Sequence, residues 1–348
     1  MAQGVPVLDL CCALFTVPLV ASVRKVSMKL RSSSGTKRFP INAFVVSCFL
    51  ILFSSCWFNA IFYPELAVPP ILAATDCSKS ASQRSTVGAE FSLAFDESLG
   101  FFDDISDADW TLLKQKSVDM YKDGGNPRGD GVSYVPSNFY QTYYEPDFSC
   151  RHERRIGKIG DGGKWVCDPH RLFRNKTANC LVYSVGSEGD FSFENSVRAS
   201  IGSHCEIHTF DFGNYSAAAS KLNHVTNYHQ WGLSSISHTD SRGNIYKTID
   251  QTVRDLHHEG RTIDIFKIDC EGCEWATVKS WMGANVVLRQ ILVELHQVQV
   301  PGTMEFFELL HDNNYVVFHK EPNIQYWQIG GGAIEYSFLK LGEGYRRV

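Results

Sequence analysis

From residue 178 onward the apolar positions fall into short runs separated by amphipathic stretches. "NCLVYSVGSEG" is an apolar run ending in glycines, and "SFENSVRASI" after it has helical spacing. "CEIHTFDF" (205–212) reads as a second strand, and "HVTNYHQWGLSS" (224–235) contains a third. "TIDQTVRDLHHEG" (248–260) is a helix closed by Gly260. "TIDIFKID" (262–269) is a fourth strand, followed by the helix "GCEWATVKSWM". "LRQILVELH" (288–296) is a fifth strand and "TMEFFELLHDNN" (303–314) a helix; "YVVFHK" and "AIEYSFLKL" are two closing strands. Strands alternating with helices predict a mainly parallel sheet with both faces covered. No strong helix separates the last two strands. They predict a hairpin, with the final strand antiparallel.

Upstream the pattern is looser. Residues 89–175 show no regular alternation, apart from a helix over "ISDADWTLLKQKSVDMYK" (105–122). Ser106 or Asp107 would cap that helix, and Trp110, Leu113 and Ser117 share one face. Farther upstream, "INAFVVSCFLILFSSCWFNAIFY" (41–63) carries no charge. It is long enough to cross a hydrocarbon core, which needs roughly 20 apolar residues. The segment before it holds Arg24, Lys25, Lys29, Arg31, Lys37 and Arg38 and no acid. The positive-inside rule places that flank in the cytosol and residues 76–348 in a lumen or outside the cell. A second apolar run, 5–23, contains Asp9 and two prolines; its positive charges follow it, unlike those of a signal peptide.

Charge adds one exclusion. The net charge is −5 over 348 residues, without the basic balance of a nucleic-acid binder. Eleven cysteines are present, seven of them beyond residue 76, so a lumenal domain would allow disulfides but leave one thiol over. Sequons at Asn175 and Asn214 fit a secretory route.

Candidate chemistry gathers at the carboxyl ends of the expected strands. Gly186 and Gly189 stand at the first strand-to-helix turn, where glycine permits a tight turn and close approach of a ligand to the backbone. Packing alone also explains such glycines. Asp211 ends the second strand, well placed to accept hydrogen bonds from ribose hydroxyls. Together they point to an adenosine-containing cofactor, either a dinucleotide or S-adenosylmethionine. Asp269 ends the fourth strand, with Glu271 and Glu274 just after it. Acids in a first helical turn are favoured by the helix dipole in any case. Three acids around a glycine at a ligand-binding edge exceed what capping needs.

"FKIDCEGCEW" matches the Lys-Ile-Asp-x-Glu-Gly-x-Glu signature of the FkbM-type methyltransferases. "YEPDFSCRHERRIGKIGDGGKWVCDPHRL" and "NCLVYSVGSEGDFSFE" resemble the methyltransferase-like protein 24 family, a membrane-anchored relative. The resemblance covers roughly residues 139–340. It implies an α/β fold of class I methyltransferase type, Rossmann-like, with a seven-stranded, mainly parallel sheet preceded by an N-terminal membrane anchor. It further implies that Gly186, Ser187 and Gly189 hold the methionine end of S-adenosylmethionine and Asp211 the ribose. Trp231 and Gly232 would lie near the adenine. Asp269 and Glu271, with Lys267, would face cofactor and acceptor. Asp161 and Lys164, in "GDGGKWVCD", would contact the cofactor at the cavity entrance. Two departures stand out: Cys270 and Cys273 fill variable positions of the signature, and Ser187-Glu188 replaces a richer glycine run.

Cys-x-x-Cys at a strand-to-helix junction also describes a thiol redox site. Asp269, Glu271 and Glu274 beside it oppose thiolate formation. No second pair completes a zinc site. His296, ending the fifth strand, could act as general base toward an acceptor hydroxyl. Asp269, Glu294 and His296 could alternatively gather a divalent cation, although no metal site is predicted. The expected organisation is a cytosolic or membrane-associated segment (1–40), a transmembrane helix (41–63) and a linker (64–100). An extension (101–175) would pack on a methyltransferase domain (176–348). The expected activity is O-methylation of a glycan, lipid or small molecule by a membrane-anchored enzyme whose C-terminal domain faces the lumen of the Golgi or endoplasmic reticulum, or the outside. The alternatives are a silent cofactor-binding domain of the same fold and a lumenal thiol oxidoreductase.

Overall fold

Strands Leu181–Val185 (β1) and Ile265–Ile268 (β4) are buried at every position, as parallel strands covered on both faces must be. They pair in parallel at the centre of a seven-stranded sheet. The others are Glu206–Phe210 (β2), Asn227–His229 (β3), Gln290–His296 (β5), Tyr315–Pro322 (β6) and Ala333–Lys340 (β7). Their order is β6-β7-β5-β4-β1-β2-β3, and β7 alone runs antiparallel, paired with β5 on one side and β6 on the other. The closing hairpin expected from the sequence is present. The computed structural model describes residues 90–348 except 124, 126, 128–130, 175–179, 223–224, 329–331 and 346–348. The apolar runs 5–23 and 41–63, Cys77 and Asn175 lie outside the described residues. Among the described residues no helix is long and apolar enough to cross a membrane.

Alternate side chains of each strand feed opposite faces. Leu181, Tyr183 and Val185 enter one core with Phe266 and Ile268, whereas Val182 and Ile265 enter the other. The first core is covered by helices Ile249–Asp255 (α2), Cys273–Gly283 (α3) and Gly302–Asp312 (α4), the second by Ser192–Ser200 (α1) and the segment before β1. Thr248 caps α2 by accepting the Gln251 N–H at 3.0 Å.

The segment before β1 is where the sequence showed least order. Its helix Asp107–Asp123 has Ser106 accepting the Asp109 N–H at 3.1 Å, and Trp110 and Ser117 are buried as expected. Trp110 packs among Phe102, Phe148 and Tyr345. A hairpin, Arg154–Ile156 with Lys164–Val166, then lies against β5 and β7. The fully buried Gln290 accepts the Cys167 N–H at 2.8 Å and donates to the Cys167 carbonyl at 3.1 Å, acting as a strand partner in side-chain form. Disulfides Cys150–Cys167 and Cys180–Cys205 close loops of 17 and 25 residues, each constraining the unfolded chain by about 3 kcal/mol.

A small three-stranded sheet, Gly232–Leu233, Ile245–Lys247 and His238–Thr239, follows β3. The sequence pattern had not revealed it, because two of its strands span only two residues each.

Replacing Gln290 by Leu leaves both polar groups of Cys167 buried without partners. Urea unfolding should show a loss of about 2–4 kcal/mol; a loss below about 0.5 kcal/mol would show that Gln290 is not the tie.

Candidate active site

The chain leaves β1 toward one face of the sheet, into α1, and leaves β4 toward the other, into α3. Their carboxyl ends therefore diverge, and a crevice opens between them. Gly186 forms its floor at φ +76°, where a Cβ would lie 1.6 Å from the Asp269 carbonyl oxygen. No other residue fits there. The Gly186 N–H donates to the Phe210 carbonyl at 2.9 Å, and the Asp269 N–H to Val185 at 3.0 Å. Lys267 Nζ donates to the Gly186 carbonyl at 2.6 Å. Gly189, at φ +78°, lies under the Tyr215 ring.

The crevice leads into a cavity of about 590 Å³. Of the residues expected at the site, Gly186, Ser187, Asp211, Gly232, Asp161, Asp269 and Glu271 line it. Asp211 Oδ2 accepts the N–H groups of Ser187 and Glu188, both at 2.9 Å, and its Oδ1 accepts that of Gly213 at 2.8 Å. Asp211 thus clamps the glycine turn as well as facing the cavity. Phe212, Leu233 and Tyr246 supply an apolar wall that the sequence reading did not find. Tyr246 arrives on the small sheet, so no motif announced it.

Four expectations need correction. Lys164 does not line the cavity entrance. It is 1% exposed and donates to Asp269 Oδ2 at 3.1 Å, Glu294 Oε2 at 3.4 Å and Glu335 Oε1 at 2.6 Å. Its strand lies against β5 and β7, which turns the side chain inward. Trp231 does not line the cavity; Lys247 Nζ lies 3.6 Å from its ring centroid and its Nε1 donates to Thr252 Oγ1 at 3.3 Å. Gly189 supports the turn from beneath rather than lining the cavity. His296 does stand beside Asp269 and Glu271, their ligand atoms within 4.8 Å of one another, but it is not a base: Glu274 Oε1 lies 3.0 Å from its backbone N and 3.1 Å from its Nδ1, and Glu271 Oε2 lies 3.4 Å from its Nε2. Burial would lower the His296 pKa, but Glu274, then Glu271 and Glu294, push it up to about 9. An imidazole already protonated at neutral pH cannot take a proton from an acceptor.

The Lys164 cluster sorts its acids. Burial would raise the Asp269 carboxyl, but the charges of Lys164 and Lys267 hold it well below the usual range. Burial pushes Glu335 well above its ordinary value and raises Glu294 against the pull of Lys164. Asp269 is therefore the committed anion beside the ammonium. Asp161, Asp269 and Glu294 bring carboxylate oxygens within 4.8 Å of one another, but the cation serving Asp269 and Glu294 is Lys164. Asn323 Nδ2 joins Glu294 at 3.0 Å to Asp161 at 3.3 Å. Glu335 was the acid missed in sequence; its signal was a lone carboxylate inside "AIEYSFLKL".

Cys270 and Cys273 form a disulfide, S–S 2.07 Å, at the cavity rim. Six of the seven distal cysteines are paired, and Cys77 is the seventh.

The strand order, the glycine turn and the acids at the strand ends define a nucleotide-type crevice of a doubly wound fold. A family model described as a methyltransferase domain matches residues 92–340. The chain belongs to that methyltransferase-domain family. No curated protein matches it. Three solved structures similar in part come from other proteins. A putative rRNA methylase from Clostridium thermocellum has 12% identity and a TM-score of 0.33, covering 50% of this chain and 96% of its own. The methyltransferase FkbM from Methylobacillus flagellatus KT has 9% identity and a TM-score of 0.33, covering 50% of each chain. The Burkholderia thailandensis 1,6-didemethyltoxoflavin-N1-methyltransferase, with bound 1,6-didemethyltoxoflavin and S-adenosylhomocysteine, has 9% identity and a TM-score of 0.30, covering 50% of this chain and 76% of its own. Likeness at that level carries no weight beside the family match.

Lys164→Met strands the carboxylates that surround it. At pH 7 it should cost about 3–5 kcal/mol in urea unfolding, and less at pH 5 as those carboxyls take up protons. A cost under about 1 kcal/mol would refute the cluster.

His296 has the opposite pH sign. Its folded-state pKa is raised, so its stabilisation is complete below about pH 6.5 and fades as pH rises through about 9. The stability gap between the wild type and His296→Asn should shrink over that window. A gap that is flat or widens with pH would contradict the Glu274 pairing.

Proposed function

We propose that this methyltransferase-family chain uses S-adenosylmethionine and methylates an oxygen nucleophile. The observation that carries the reading is the crevice where Gly186, free of any side chain, meets the Asp211 carboxylate at the ends of β1 and β2. A cavity of about 590 Å³ has room for a cofactor and part of an acceptor. Gly186 and Ser187 would hold the methionine end, and Asp211 the ribose hydroxyls. Phe212, Leu233 and Tyr246, with Gly232, would flank the adenine. When bound, the cofactor supplies an electrophilic methyl group. Asp269, kept ionised by Lys164, accepts the hydrogen bond of the acceptor hydroxyl and so points its oxygen. Glu294, whose carboxyl burial raises, lines the same cavity and takes the hydroxyl proton. The remaining work is positioning and exclusion of water.

The acceptor in this reading is a hydroxyl of a glycan, lipid or small molecule. The uncharged run 41–63, its basic flank and three disulfides in the described residues support a membrane-anchored domain facing the lumen of the Golgi or endoplasmic reticulum, or the outside.

Isothermal titration of the full-length protein with S-adenosylmethionine tests the reading. Wild type should bind one equivalent, and Asp211→Asn should bind at least about tenfold more weakly, roughly 1.4 kcal/mol, with its circular dichroism unchanged. Absence of binding to folded wild type would overturn it.

A further inference from the structure

A second polar cluster lies away from the cavity, between the sheet and the end of α2. Glu206 and His208 come from β2, and His258 from the turn after α2. Glu206 Oε1 lies 2.9 Å from His208 Nε2 and 3.2 Å from His258 Nε2. The three ligand atoms fall within 4.8 Å of one another. Both imidazoles are buried, at 5% and 4% exposure, while the Glu206 side chain is 38% exposed. From this arrangement we infer that Glu206, His208 and His258 form a site for a zinc-class divalent cation, with solvent at the remaining position.

Three features carry the inference. The first is spacing. Nitrogen and oxygen ligands about 2.0–2.1 Å from a tetrahedral zinc stand roughly 3.3 Å apart. The two measured separations are close to that edge.

The second feature is the set of groups behind the ligands. His208 Nδ1 is 2.8 Å from His229 Nε2, and His258 Nδ1 is 2.7 Å from the Tyr183 hydroxyl. A metal-bound histidine characteristically has its other ring nitrogen tied down in this way. Arg261 Nη1 donates to Glu206 Oε2 at 2.8 Å, leaving Oε1 to face both imidazoles.

The third feature is the placement of the ring protons: neutral imidazole is the ligand form, and each ring has a partnered second nitrogen to take its proton. Without metal, two imidazole N–H groups converge on one carboxylate oxygen. A cation at Nε2 would move each neutral ring's single proton from Nε2 to Nδ1, where it donates to His229 Nε2 or the Tyr183 oxygen, with no net release of protons from the rings. N/O ligation of this kind suits zinc, and cobalt as its reporter.

The test uses untagged, full-length protein, stripped with chelator and titrated with Zn²⁺ and Co²⁺. One equivalent of zinc should bind and raise the melting temperature, and cobalt should give four- or five-coordinate visible bands. Glu206→Gln and His258→Gln should each weaken zinc binding at least tenfold, and Tyr183→Phe less; His238→Gln, on an exposed strand, should leave it unchanged. Failure of wild type to bind zinc, or equal binding by the Glu206 and His258 variants, would overturn the site. If those variants do not fold, the wild-type cobalt spectrum decides: octahedral bands or none would refute the assignment.

Discussion

One buried ammonium ties the domain together. Lys164 comes from the segment before β1, and the acids that receive it come from β4, β5 and β7, separated from it by 105, 130 and 171 residues. Removing an ammonium or a carboxylate from water costs several kcal/mol unless each finds a partner. Peeling the early segment off the sheet would leave Lys164 without its carboxylates and Asp269, Glu294 and Glu335 without its ammonium. Gln290 then fixes the same hairpin three residues on, at Cys167. The segment with the least regular sequence pattern is thereby made integral to the sheet.

The same contact reaches the crevice. Asp269 carries the charge that Lys164 stabilises, and its backbone carbonyl occupies the space that a side chain at residue 186 would need. Its N–H extends the ladder to Val185. The glycine turn is held from the other side by Asp211 and from below by Lys267. Turn and acid therefore cannot move independently, and such fixed placement is what a positioning mechanism requires.

The sheet was legible because parallel strands leave uninterrupted apolar runs and helices leave periodic ones. The seven strands of the sheet fall where those runs predict, and so does the reversed β7. Glycine and acid positions at strand ends were legible for the same reason: topology alone places them at the crevice. Lys164 and Trp231 were misplaced, and the role of His296 was misread although its place beside Asp269 and Glu271 was not, because orientation and charge depend on partners distant in sequence. Nothing near Lys164 reveals that Glu335 lies 2.6 Å from it. Phe212 and Tyr246 were missed because a cavity wall built from short strands has no period.

The three acids of "IDCEGCEW" illustrate the difference. In sequence they form one acidic rim. In the fold each meets a different environment. Asp269 is buried against Lys164 and faces the cavity. Glu271, at φ +56°, is 77% exposed at the rim, where its Oε2 lies 3.4 Å from His296 Nε2. Glu274 is completely buried, accepting from the Gly272 N–H at 3.0 Å and from the His296 backbone and ring. It holds the turn to the end of β5. The Cys270–Cys273 disulfide closes the same turn covalently, on the side where both cysteines line the cavity. A turn with two left-handed residues, Glu271 and Gly272, would otherwise be free to relax. Glu274 and the disulfide hold Asp269 and Glu271 at the cavity, so the third acid acts through structure while the first two line the space beside it.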